Sequence, residues 1–229
     1  MKAMDEEKSV LRWGGLAGIL GGIIFILVFV VVIVFLGPEP VEPEREVMRF
    51  PDIRAARTVE DSLYLVVLIL WVAHFLALYR ALRENSLATA LFGSVLGIVG
   101  LGVLAAGALP HVATAPISDL YHAPGASTED RAALVLMWQA TQGIFDALFG
   151  VGLLLVPIGF VALGVAMLGA PAFGKGFGGV SVVLGAVGVV AASVLLVDPL
   201  SPSAFAGVLA LIVFHLVLGW RLYSLSRAP

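Results

Sequence analysis

From Trp13 to Phe35 the chain carries no charged side chain at all. An uninterrupted apolar run of that length matches the roughly 20 residues a helix needs to cross a bilayer. In lipid no water is available for backbone groups, so such a run folds as a helix that satisfies them internally. A secretory signal core is shorter, about 7–15 residues, and is followed by small residues at a cleavage site. Here the run ends in Leu36-Gly37-Pro38, which predicts an uncleaved first span. Five more apolar stretches follow, giving predicted spans at 13–36, 62–82, 87–109, 143–168, 177–197 and 203–222. With 60% hydrophobic and 13% charged residues and a mean hydropathy of +1.06, one aqueous core cannot hide this much apolar surface. The lipid bilayer is therefore the first partner, and the predicted fold is all-α: a polytopic membrane protein, one domain over 1–229, built as a bundle of six transmembrane helices.

The connections set the orientation. Predicted outer loops cover 37–61, 110–131 and 198–202, and helices two and four are long enough to extend beyond the outer face. The first loop opens with Gly37-Pro38-Glu39-Pro40-Val41-Glu42-Pro43, where each proline removes a donor and restricts its predecessor. A helical pattern is expected only after Pro51-Asp52. Ser127-Thr128-Glu129-Asp130 reads as a capped helix start. Of the 13 Lys and Arg residues, eight fall on the side of the termini. By the positive-inside rule both termini are cytoplasmic and the chain sits in a prokaryotic plasma membrane. A net charge of −3 offers no basic footprint for nucleic acid, and the chain has no cysteine for disulfides or thiolate chemistry. Glycines four apart, at 14, 18 and 22 and again at 93 and 97, predict close helix packing.

Polar residues inside apolar helices are costly and mark the places to search for function. The fourth helix carries Trp138, Gln139, Gln142 and Asp146. Counting outward from Leu168 puts Asp146 about 33 Å away at helical rise, near the outer boundary. Trp138 is then expected as an interfacial aromatic, and Arg54 and Arg57 are near enough in depth to pair with Asp146 or Glu129. These six residues (Trp138, Gln139, Gln142, Asp146, Arg54 and Arg57) form a predicted outer polar pocket for a small or lipidic ligand. The competing reading is a hydrogen-bond cluster that fixes helix packing. His74 and His215 lie at matching depth in spans two and six and could be axial ligands of a b-type haem. His111, Asp119 and His122 share the predicted third-to-fourth loop and could bind zinc, as an outer-face metal-dependent enzyme would require.

The segment Ala162 to Gly188, with Leu168-Gly169-Ala170-Pro171-Ala172-Phe173-Gly174-Lys175-Gly176 at its turn and a glycine-rich helix after it, resembles an uncharacterised family of small six-span prokaryotic membrane proteins. The resemblance implies the six-span plan and brings no activity or residue role with it. In the absence of any hydrolase, zinc-protease or phosphate-loop motif, the leading expectation is a non-enzymatic membrane protein. It is either an accessory subunit beside other membrane subunits or a ligand binder. Electron transfer through haem is the alternative.

Overall fold

The computed structural model describes residues 2–38, 40, 42–198 and 201–228, with side chains from residue 6 onward. Glu39 and Val41 of the proline-rich linker and Pro199-Leu200 of the last turn lie outside the described residues. Six helices follow in order: α1 Lys2–Val31, which runs on through a π-helical turn Val32–Leu36; α2 Pro43–Leu82; α3 Leu87–Tyr121; α4 Thr128–Leu168; α5 Gly174–Val197; and α6 Ser203–Ser226. Every one is long and apolar enough to cross a membrane, so this is a multi-pass membrane protein. Each helix packs against its neighbours in chain order, and α6 closes the ring against α1. Both termini therefore lie at one end, where Lys8 Nζ donates to the Ala228 carbonyl at 2.8 Å. The opposite end is called distal below.

Large rings pack against glycines around the ring. Even-numbered helices deliver the large side chains: Trp71 and Phe75 from α2, Phe160 from α4 and Phe214 from α6, all fully buried. Phe160 and Phe214 stack with centroids 3.5 Å apart. The odd-numbered helices supply glycines that let these rings in. A methyl at Gly97 of α3 would stand 2.3 Å from the Phe75 ring, and one at Gly18 of α1 would stand 2.5 Å from His74. The four-residue glycine spacing seen in the sequence is thus used up in packing within the chain, as small-residue helix contacts require.

Two predicted loops turn out to be helical. The segment assigned to a loop over 37–61 is helix from Pro43, with Pro51 inside it. Proline at a first turn sacrifices no bond and is preset for helical φ, so Pro43 starts the helix it was expected to prevent. Likewise α3 continues through Pro110 and Pro116 to Tyr121, leaving only His122–Ser127 as connection in the predicted 110–131 loop. Each internal proline loses one hydrogen bond, but the buried face His111, Thr114, Ile117, Ser118 and Tyr121 repeats every three to four residues and is held by tertiary contacts. α2, α3 and α4 all extend past the apolar zone, and α4, at 41 residues, spans about 60 Å against a hydrocarbon core of about 30 Å. The extensions share a small core of their own made by Val47, Phe50, Ile117, Tyr121, Leu134 and Trp138. The predicted cap is present: the Ser127 hydroxyl accepts from the Asp130 N–H, and the Asp130 carboxylate accepts from the Ser127 N–H. The Ser127 hydroxyl, which donates to the Asp130 carboxylate at 2.8 Å, and then the Ser127 N–H hold that exposed carboxyl below its usual range.

Candidate functional site

Where the distal extensions meet the membrane-spanning bundle, a cavity of about 150 Å³ opens between α1, α2, α3, α4 and α6. Its walls are apolar: Phe25, Val28 and Phe29 from α1, Phe145 and Phe149 from α4 and Val208 from α6. Its polar rim comes from one turn of α2, with Glu60, Asp61 and Tyr64, and from His111 of α3. Asp61 and Tyr64 are three apart and Glu60 and Tyr64 four apart, so one helical face presents all three. Glu60 accepts from Arg57 at 2.9 Å. Burial nevertheless dominates and raises the Glu60 pKa above its ordinary value, with the Arg57 charge opposing. Asp61 lies 3.3 Å from His111 Nδ1, and the His111 ring stacks on Phe145 with centroids 4.1 Å apart. Tyr64 is 8% exposed, and among the described residues its hydroxyl finds no hydrogen-bond partner.

His111 also borders a second, much smaller cavity of about 10 Å³, lined further by Glu46, Arg57, Thr114, Trp138 and Gln142. That is about the volume of one water. Gln142 Nε2 donates to Glu46 Oε1 at 3.3 Å, while Gln142 Oε1 and Trp138 Nε1 are buried without a partner among the described residues. Of the six residues predicted to form a polar pocket, the structure thus gathers Arg57, Trp138 and Gln142. Gln139 and Asp146 sit on exposed faces of α4. Arg54 points to α3, donating to the Ala115 carbonyl at 3.3 Å and pairing with Asp119. Trp138 is not an interfacial aromatic: it is 3% exposed, with its ring edge against Phe50 at 5.4 Å, because the extensions of α2 and α3 cover it.

The supposed metal set does not assemble. His111 and Asp119 lie within the last turns of α3 and His122 just past its end: His111 faces Asp61, Asp119 faces Arg54, and His122 Nδ1 donates back to the Ser118 carbonyl at 2.8 Å. Among the described residues no three His, Asp or Glu side chains come together as a metal set.

His74 and His215 do meet. Their ring centroids are 5.0 Å apart and both side chains are fully buried. His74 Nδ1 lies 2.9 Å from the Gly14 carbonyl oxygen, which can only accept, so Nδ1 carries the proton and Nε2 the lone pair. Among the described residues His74 Nε2 and both nitrogens of His215 have no partner. A haem held by this pair would need a flat slot between the imidazoles. Instead the rings abut, Trp71 stacks on His215 at 4.0 Å, and Phe75, Phe160 and Phe214 close around it within 5.7 Å. Haem b does not fit this packing.

A family model described as a domain of unknown function (DUF4386) matches residues 60–227. The chain belongs to that family. The DUF4386 match begins at Glu60, where α2 enters the bundle, so it takes in the whole polar rim and both His74 and His215. It leaves out α1 and the α2 extension with Arg54 and Arg57. Neither the curated proteins nor the solved structures provided a significant match.

The sequence reading missed Glu60, Asp61, Tyr64, His111 and Phe145 as members of one site. A signal existed in the acidic pair immediately before an apolar run, with a tyrosine on the same face. His111 was hidden by Pro110 and Pro116, which disguised its helix as a loop.

Proposed function

We propose that this protein is a non-enzymatic membrane receptor or carrier component that binds a small amphiphilic ligand in the distal cavity. One observation carries the reading: an apolar, ring-lined cavity meets two carboxylates, an imidazole and an unpartnered phenol at one end. Convergence of a few polar groups on an apolar concavity is the usual build of a ligand site. A volume of about 150 Å³ is that of a cavity known to take up benzene, so the ligand, or the part of it that enters, is about one ring in size. A whole lipid is too large; one end of a chain is not. The excess of Lys and Arg on the terminal side supports a cytoplasmic location for both termini and an outward-facing cavity in a prokaryotic plasma membrane.

The test is a filled cavity. Ala108 borders the space and is buried, so Ala108→Phe occupies part of it. Organic extracts of the protein purified in mild detergent are compared by mass spectrometry. A compound present with the wild type and depleted in Ala108→Phe is expected. Identical extracts from two equally folded proteins would count against the proposal.

A further inference from the structure

We infer that the ligand of the distal cavity is a small protonated amine with an apolar body of about one ring; this rests on the ligand-binding reading above. The argument starts from charge. Glu60 has Arg57 at 2.9 Å, and a guanidinium is a permanent cation. Among the described residues Asp61 pairs with the imidazole of His111 alone, at 3.3 Å, which brings no fixed charge. The rim therefore presents one more carboxylate than it has permanent cations, in a partly buried place where an uncompensated charge is costly. A ligand that supplies the positive charge removes that cost. An anion adds to it.

The walls point the same way. Phe25, Phe29, Tyr64, Phe145 and Phe149 all border the cavity, and the negative faces of aromatic rings attract a cation, the more so when water is excluded. The side chains of the lining offer five oxygens, from Glu60, Asp61 and Tyr64, and Glu60 is already held by Arg57, so a hard metal ion, which takes six or more, is poorly served. The phenol then separates the remaining cations. The buried Tyr64 hydroxyl has no partner, and a quaternary ammonium has no N–H to give it. A primary or secondary ammonium can donate to Asp61 and to the Tyr64 oxygen together while its apolar body lies among the rings. The cavity volume limits that body to about one ring.

The experiment uses the full chain in detergent micelles, with benzylammonium chloride and benzyl alcohol as probes and calorimetry as readout. The two probes share a ring and a hydrogen-bond donor and differ in charge. Uptake by the Ala108→Phe or Val208→Phe protein gives the baseline for partition into detergent. Benzylammonium is expected to bind at least about tenfold more tightly than benzyl alcohol. Asp61→Asn brings benzylammonium binding down to about that of benzyl alcohol, and Tyr64→Phe weakens benzylammonium several-fold. Equal binding of the two probes overturns the amine assignment and leaves a merely apolar cavity. Binding of neither above the baseline overturns the ligand-binding reading itself.

Discussion

We predict that His215→Leu stabilises the protein, because His215 places two polar nitrogens in a fully buried apolar setting without a partner for either. Leaving a buried donor or acceptor unmade costs about 1–3 kcal/mol, so the two together cost about 2–6 kcal/mol. Against this, leucine forfeits the stack on Trp71 at 4.0 Å, worth about 0.5–1.5 kcal/mol. Imperfect fit of the branched side chain takes up to about 1.5 kcal/mol more. The unfolded chain in a membrane also finds some partners for its polar groups, which shrinks the gain. A net stabilisation of about 1–2 kcal/mol remains, a shift of about 5- to 30-fold in the unfolding equilibrium. His74→Leu should gain less, because His74 Nδ1 is already satisfied by the Gly14 carbonyl. The assay is reversible unfolding in mixed micelles, followed by near-UV circular dichroism of the buried tryptophans. A destabilisation of His215→Leu by more than about 1 kcal/mol would refute the reasoning and mean that the imidazole is engaged by something in the native protein.

Three further outcomes follow from the geometry. Gly97→Leu should prevent correct assembly, with a loss above about 3 kcal/mol, since even a methyl there stands 2.3 Å from Phe75; normal detergent-stable yield would contradict the packing. The raised Glu60 pKa means the folded state holds its proton more tightly than the unfolded chain, so this group weakens stability as pH rises from the ordinary value of 4.5 through the folded value. The stability of Glu60→Gln relative to wild type should therefore improve as pH climbs across that range, and parallel pH curves would show that burial is not acting on Glu60. Because the chain has no cysteine, single-cysteine variants report orientation: an impermeant maleimide applied to intact cells should label Thr128→Cys and spare Ala228→Cys, and the reverse pattern inverts the proposed topology.

Part of this site is legible in the residues alone, and part is not. Helix existence was legible because lipid leaves a backbone no alternative to internal hydrogen bonding, and the four-residue glycine spacing announced close helix contacts. Pro43, Pro110 and Pro116 misled because proline reports a local loss of one bond, whereas tertiary packing decides whether a helix absorbs that loss. Depth along a helix was likewise accessible by counting, which put His74 and His215 at one level. Counting says nothing of the angle at which each side chain leaves the ring of helices. Only the closing of α6 against α1 and α2 brought the histidines to 5.0 Å and packed Trp71 against one of them.

The same division holds for the polar residues at the distal end. Sequence determined that amides and carboxylates sit where the helices leave the apolar zone, because each was placed by its distance along one helix. Tertiary structure alone decided which of them share a space: it turned Arg54 toward Asp119, buried Trp138 against Phe50, and set Asp61 beside His111 from a different helix. A cavity is bounded by five helices at once, so its lining depends on rotations and crossings that no single segment encodes.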